Sequence, residues 1–255
     1  MTEKKLVTPK FRIWIGDTIL DSGFQAECYS STAERCSWGT VELKPIYDEI
    51  LQYRDMEPAR MELGYEDDYD TVLSGYLSVR HPDEGGSLRI LDDTVFLQRT
   101  EIRETFLSCR PQNIIAYALR KAGITAFQLS DAVYPEKDIY PVLRKNVVEL
   151  IQDIQKAWGI NADFYFKDGC FYWGTDIPQT SIYILEEGKN ILSLLKFNRE
   201  YEIKTIGVPW IHQGEQIQVK HRKYTGTVKV SATRIKADDE GSVRMYLTFK
   251  EDSYG

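Results

Sequence analysis

Short apolar runs that alternate with polar residues fill the last part of the chain and constrain its fold more than any other feature. The runs lie within residues 181–188, 203–219, 226–230 and 241–249. Turn-forming residues separate them, among them Pro209, Gly214 and Gly241. A period of two with this punctuation is typical of antiparallel strands joined by tight turns. We therefore predict a small antiparallel β-barrel over residues 181–255.

The beginning of the chain shows the same alternation. Its runs lie at residues 11–15, 24–29, 38–43, 59–65 and 71–79. Gly64 and Gly75 fall inside two of these runs and are predicted to mark bulges or sharp bends. Residues 44–58 break the alternation and are predicted to form a short helix or a loop. We predict a first β-barrel domain over residues 1–98, although residues 44–58 leave its boundary open.

The middle of the chain, residues 99–180, carries the helical patterns. Pro111 begins an apolar stripe that stops at Gly123, which fits the positions of proline and glycine at helix ends. Asn146 and Glu149 form a capping-box pattern, and apolar residues with a 3.6 period follow as far as Gly159. Residues 161–173 form a predicted hairpin around the Asp168-Gly169 turn. This region is therefore predicted to be an inserted α+β domain.

Charge and length limit the partners that the chain can take. The net charge of −7 argues against binding to nucleic acid through neutralised phosphates, and against a polybasic membrane surface. No apolar run approaches the roughly 20 residues of a membrane-spanning helix. Residues 1–10 lack the apolar core of a signal peptide. We expect no sequence-specific nucleic acid, no membrane insertion, and synthesis in the cytoplasm.

The cysteines and histidines show no spacing that is typical of a metal or redox site. Cys28 and Cys36 are compatible with a cross-strand disulfide, but reduced thiols packed as small apolar groups are favoured. Cys109 and Cys170 stand alone in the sequence. The histidines are expected to be surface or loop residues; they are His81, His212 and His221.

An acidic segment and an aromatic segment are the remaining candidates for binding. A calcium site and a carboxylate pair are two alternatives for Glu66, Asp67, Asp68 and Asp70, but the run lacks the glycine of a calcium loop, and a solvated hairpin tip is favoured. The aromatic hairpin, residues 164–166 and 171–173, is either a binding platform or core under the helices. Core packing is favoured. Alternation then places Phe166 and Trp173 inward and Tyr165 and Tyr172 outward.

No nucleophile, phosphate-binding or zinc motif is present in the sequence. We therefore expect no enzyme activity, no catalytic residues, no cofactor and no metal ion.

The order of these patterns resembles that of the phage tail baseplate hub proteins, a family also found in contractile injection systems and tailocins. The closing segment carries a proline, a glycine turn, a polar-alternating strand, a hairpin, and a last strand after the turn at residues 238–241. The first region carries two strands that end in Gly-Tyr or Ser-Gly-Tyr-Leu around the acidic tip. The middle region carries a helix that ends at a glycine, followed by two strands joined by an Asp-Gly turn. The resemblance spans nearly the whole chain as a pattern.

The resemblance implies a mainly β fold, with two small antiparallel barrels of the tail-tube type and an inserted helix–hairpin module. It implies a homotrimer whose six similar barrels join a sixfold tail tube to a threefold spike and line the channel for DNA or an effector. The implied partners are the tail tube or distal tail protein, the spike protein and the tape-measure protein. The protein would assemble in the host cytoplasm and end in the tail.

Two other functions stay open. A carbohydrate- or peptide-binding accessory module of a tail tip would use the aromatic hairpin as its platform. A cell-wall hydrolase is the least favoured reading, since no catalytic constellation is visible in the sequence.

Overall fold

The computed structural model describes residues 8–33, 36–47, 51–78 and 87–251. These residues form two compact units. The first unit draws on residues 1–32, 37–92 and 178–255, and the second on residues 33–36 and 93–177. The division into domains at 1–98, 99–180 and 181–255 stays a prediction.

The described residues are mainly β, with few helices, and most strand pairs are antiparallel. In chain order the strands are β1 (Pro9–Ile15), β2 (Thr18–Leu20), β3 (Phe24–Ser31), β4 (Trp38–Leu43), β5 (Pro58–Tyr65), β6 (Asp68–Leu77), β7 (Ser87–Leu91), β8 (Glu101–Cys109), β9 (Phe127–Leu129), β10 (Lys137–Asn146), β11 (Phe164–Lys167), β12 (Cys170–Trp173), β13 (Tyr183–Glu186), β14 (Ile191–Phe197), β15 (Glu200–Ile206), β16 (Gln216–His221), β17 (Tyr224–Ala237) and β18 (Val243–Lys250). The helices are α1 (Thr94–Arg99), α2 (Pro111–Lys121) and α3 (Val147–Trp158). A short 3-10 turn at Pro45–Tyr47 lies in the segment that was predicted to be a helix or a loop.

The first unit contains one continuous sheet of 13 strands, in the order β14-β15-β18-β17-β3-β4-β7-β6-β5-β1-β2. Strand β16 pairs with β17 and with β13 beside this path. In the described part of the chain no strand pair joins β14 to β2, so the sheet is not closed. The prediction of two separate closed barrels is therefore wrong.

Strand β17 is the physical reason for the single sheet. It is 14 residues long and has a register shift between Val230 and Ala232 on its β18 side. Its first part pairs with β16, whereas Ala232–Ala237 pairs with β3 from the beginning of the chain. A strand of this length reaches two neighbours on one edge, and it therefore joins the early and late strands in one ladder.

The core of the first unit lies on one face of this sheet. Alternate residues of neighbouring strands are fully buried there, among them Ile13, Met61, Ile203 and Met245. Gly75 lies on β6 where a Cβ atom would collide with the carbonyl oxygen of Leu91. The glycine is thus required by the close approach of two backbones.

The bulge in the β5–β6 hairpin does not lie at Gly64 or Gly75, where a bulge or a sharp bend was predicted. The register of the pair shifts between Met61 and Glu62. Gly64, like Gly75, is a position of close approach, because a Cβ atom there would meet the Tyr69 ring at 2.6 Å.

The two long helices of the second unit form as predicted. Asn146 Oδ1 accepts a hydrogen bond from Glu149 N at 2.9 Å, and Glu149 Oε2 accepts one from Asn146 N at 3.1 Å, which completes the capping box of α3. Gly159 ends the helix with φ 66°. The apolar stripes of α2 and α3 are buried together with Phe166, Phe171 and Trp173.

The remaining elements of the second unit are not evident in the sequence. Helix α1 has only six residues. Strands β8 and β10 form a two-stranded ribbon, and β9 adds a parallel strand to the β11–β12 hairpin.

The β11–β12 hairpin turns at Asp168 and Gly169, both with positive φ, as the Asp-Gly pair predicts.

Candidate assembly surfaces

The aromatic hairpin is core on both of its faces. Phe171 and Trp173 are fully buried under the helices, and Phe166 joins them. Tyr165 and Tyr172 point to the other face, where their rings stack at 5.9 Å and pack against Ile177. The prediction of core packing is confirmed, but the expectation that the two tyrosines face solvent is wrong. Ile177 packs against this second face, and strand alternation alone does not reveal such a contact.

The acidic tip is a tight, exposed hairpin turn. Tyr65 and Asp68 pair across it, so that Glu66 and Asp67 form a two-residue loop. Glu66, Asp67 and Asp68 are exposed, and Asp70 is half-buried. Within the described residues, no group of three or more His, Cys, Asp or Glu side chains is arranged to hold a metal ion.

The histidines with described positions are less exposed than expected. His221 ends β16, its side chain is 7% exposed, and its Nδ1 accepts a hydrogen bond from Lys223 N. His212 lies before β16 with its Nδ1 3.8 Å from Glu215 Oε2. His81 lies outside the described residues.

All four cysteines are free thiols, so the Cys28–Cys36 disulfide is not formed. Cys28 and Cys109 are buried. Burial raises the pKa of the Cys28 thiol to about 12, which keeps it protonated and unreactive at neutral pH.

The side of the large sheet that faces away from the core carries a row of alternating cations and aromatic rings. Neighbouring strands bring the row into register: Lys204 pairs with Tyr246, Tyr246 with Arg234, Arg234 with Tyr29, and Tyr29 with Trp38. Lys204 Nζ lies 5.7 Å from the centre of the Tyr246 ring, and Arg234 Cζ lies 5.4 Å from that of Tyr29. The Tyr29 and Trp38 ring centres are 5.6 Å apart. We call these five residues the cation–aromatic row.

A second row runs beside the first on the same face. It comprises Arg244, Lys236, Glu27, Thr40 and Arg89, again in strand register. Glu27 pairs with Arg234 at 3.4 Å and with Lys236 at 3.1 Å. The two rows therefore carry five cations against one carboxylate, on a chain whose net charge is −7. A shallow depression beside them is lined by both signs of charge, with Lys236 and Arg244 against Glu27, Glu42 and Asp238.

A second cluster on this face holds two more arginines. The buried Glu62 carboxylate is 3.1 Å from Arg12, 2.9 Å from Arg60, and accepts a hydrogen bond from Trp14 Nε1 at 2.8 Å. Arg60 also lies over the Trp14 ring at 4.1 Å. This network fixes its side chains, and it neutralises one of its two cations.

Strand β14 is an exposed sheet edge. It ends the strand path, and Leu192, Leu195 and Phe197 are exposed along it. Exposed edges with apolar side chains are surfaces on which another strand can pair.

The β8–β10 ribbon presents a smaller apolar face. Leu107 pairs with Ile139, and both are exposed, as is Leu143 on the same strand as Ile139. The opposite face of the ribbon, which includes Ile102 and Val142, is buried in the second unit.

No helix in the described part of the chain is long and apolar enough to cross a membrane.

No protein-family model matches this chain, and no curated protein matches it. Solved structures of tail proteins match its fold. The 43 kDa tail protein of prophage MuSo2 from Shewanella oneidensis superposes with a TM-score of 0.75 at 11% identity, covering 95% of this chain and 98% of that chain. A tail protein from Neisseria meningitidis gives a TM-score of 0.68 at 12% identity, covering 96% of this chain and 97% of that one.

A third similar structure is a component of the Escherichia coli type VI secretion system, described as structurally similar to the bacteriophage T4 tail proteins gp27 and gp5. It gives a TM-score of 0.68 at 12% identity, covering 95% of this chain and 77% of that chain. At these identities the similarity shows a common fold, which extends over almost all of the chain.

Proposed function

We propose that this protein is a structural component of a phage-like tail, and more specifically the baseplate hub at its distal end. In this role a homotrimer joins the sixfold tail tube to a threefold spike and borders the channel through which DNA or an effector passes. The observation that carries the proposal is the fold, which is shared with two tail proteins over nearly the full length of both chains.

The exposed surfaces of the first unit support an assembly role. A ring repeats one interface around its axis, so each copy needs two complementary surfaces. The unit offers the β14 edge, the acidic tip and the two charged rows. Each copy would offer two docking positions, one on the early strands, β1–β7, and one on the late strands, β13–β18. Three copies would then offer six positions to a sixfold tube.

The proposed partners are the tail tube or distal tail protein, the spike protein and the tape-measure protein. The protein would assemble with them in the host cytoplasm and stay in the finished tail. We propose no enzyme activity and no cofactor, because the fold is one of structural tail proteins and the role requires only surfaces.

The alternative of a carbohydrate- or peptide-binding module loses its main support. The rings that would form its platform are buried on both sides of the hairpin. A cell-wall hydrolase has no specific observation in its favour.

Gold-labelled antibody on purified native particles tests the proposal. We expect label at the distal end of the tail, where the tube meets the spike. Label along the tube, or at the head-proximal end, would contradict the hub role. An antibody against the tube protein is the matched control, since it should label the shaft.

A further inference from the structure

We infer that the free edge of β14 pairs with the β6–β7 end of a second copy of this chain, so that one sheet continues from copy to copy. The β6–β7 end is defined as residues 77–78 and 87–89, the described residues nearest to the connection between the two strands. This contact deepens the proposed trimer, on which it rests.

The two halves of the large sheet repeat one strand order. The late strands run β14-β15-β18-β17 and the early strands run β3-β4-β7-β6, with antiparallel pairs throughout both runs. A further strand extends each run, β16 on β17 and β5 on β6.

The sequence carries a trace of the same repeat. Residues 83–89 read Asp-Glu-Gly-Gly-Ser-Leu-Arg, and residues 239–244 read Asp-Glu-Gly-Ser-Val-Arg. These segments lead into β7 and β18, which occupy the same place in the two runs. Strand β14 is therefore the counterpart of β3, and β6 is the counterpart of β17.

The contact between the two halves shows what covers a strand in the position of β14. The edge of β3 is covered by β17, whose residues Ala232–Ala237 pair with Ala26–Ser31. The equivalent contact joins β6 to β14. In one chain these two strands end the eight-strand run, seven strand spacings apart, and no pair of described strands joins them. A second copy supplies the missing half, and contacts of this head-to-tail kind close into rings when the rotation allows.

The edge of β14 offers backbone groups and apolar side chains to a partner strand. A two-residue turn joins β14 to β15, so the pairs at Phe197 and Leu195 exchange the backbone bonds, and the groups of Leu194 and Lys196 point to the free edge. Leu194 O accepts a hydrogen bond from Lys223 Nζ at 3.2 Å, where a side chain takes the place of a strand. Leu195 and Phe197 are exposed beside these groups. Such an edge is a surface for strand pairing.

The early half differs from the late half in how far its edge is already covered. Leu77 N donates to Glu57 O at 2.9 Å, and Leu77 O accepts from Met56 N at 2.8 Å, so the segment before β5 covers β6 as far as Leu77. On β17 the corresponding cover ends at Val230, whose N donates to Glu215 O. The contact on the second copy is therefore shifted along β6, toward its connection with β7.

Cross-linking of the full chain tests which surfaces meet. The variants carry Cys36→Ser and Cys170→Ser, because these two thiols are partly exposed whereas the other two are buried. A short bismaleimide added to Leu195→Cys with Ser78→Cys should give covalent species of two and three chains. Leu195→Cys with Lys156→Cys, which places the second thiol on α3, is the control and should stay a single chain.

Sedimentation velocity tests the backbone pairing separately. Lys196→Pro removes the backbone donor on the free edge, and Lys196→Ala is the control that loses only the side chain. We expect the proline variant to associate at least about tenfold more weakly than the alanine variant. Leu195→Lys places a charge on the same edge and should act in the same direction. Ile46→Lys, at an exposed apolar residue elsewhere in the first unit, should associate like the wild type.

Three results would overturn the inference. A trimer that tolerates Lys196→Pro and gives no cross-link would leave the proposed hub intact but would place its interface elsewhere. Cross-linked dimers from Leu195→Cys alone would show that β14 pairs with itself about a twofold axis. A monomeric wild type without cross-links at the highest soluble concentration would exclude the contact, while the copy number in native particles would still decide the hub role. Unchanged thermal unfolding midpoints confirm that the variants fold.

Discussion

Phe171 and Trp173 belong to the hairpin of the second unit, have no exposed surface, and pack in one core with the buried residues of α2 and α3. We expect Phe171→Ala to lower the free energy of unfolding by about 3–5 kcal/mol, because it removes buried apolar surface and leaves a cavity. Denaturant unfolding measures this loss. Phe164, which is half-buried on the same hairpin, is the control, and Phe164→Ala should cost clearly less.

Tyr165 and Tyr172 test the second covered face of that hairpin. Both are buried, and their rings stack on each other beside Ile177. We expect Tyr165→Ala and Tyr172→Ala each to cost about 3 kcal/mol in unfolding free energy. Losses below about 1 kcal/mol at both positions would show that this face is open to solvent.

Gly75 tests the close approach of β6 to the strand beside it. Gly75→Ala places a methyl group against the Leu91 carbonyl, and a backbone atom cannot move as the end of a side chain can. We expect a loss of about 1–3 kcal/mol or more in unfolding free energy. Gly226→Ala is the matched control, because its nearest neighbour, at 3.2 Å, is the Tyr224 hydroxyl. Equal losses at the two glycines would contradict this account.

At the scale of elements, the sequence predicts what local chemistry determines. The capping residues of α3, the Pro111 start of α2 and the Asp168-Gly169 turn are all encoded within a few residues, and these elements form as predicted. The β8–β10 ribbon is missed because its strands are separated by a helix, so no turn marks the pair. Helix α1 is missed because six residues are too few to show a period.

Strand register is the second feature that local patterns do not contain. The alternation in residues 226–230 predicts a short strand, whereas β17 extends to Ala237 and pairs with β3. The cation–aromatic row depends on this pairing, because its five residues come from five different strands. The five residues share no local signal in the sequence, and only the register aligns them.

The α3 cap gives a prediction at this scale. Asn146→Ala removes the side chain that accepts from Glu149 N, and we expect a loss of about 1 kcal/mol in unfolding free energy. Gln152→Ala, in the middle of the same helix, should be nearly neutral, since alanine is a good helix former. A cap variant as stable as this control would mean that tertiary packing alone holds the end of the helix.

At the scale of the whole molecule, net charge is a poor guide to which face meets which partner. The chain is acidic, which would suit a channel wall that DNA should not stick to. The side of the large sheet away from the core is nevertheless rich in cations, which include Lys204, Arg234 and Arg244. The same face also carries Glu27, Glu42 and Asp238, so both signs of charge meet there and the net charge of the chain does not describe it.

The number of copies in the native particle tests the hub proposal most directly. Quantitative mass spectrometry with isotope-labelled peptide standards gives the ratio of this protein to the tube and spike proteins in purified tails. The proposal predicts three copies per particle, equal to the number of spike chains. Six or more copies that rise with tail length, or none in the particle, would contradict it.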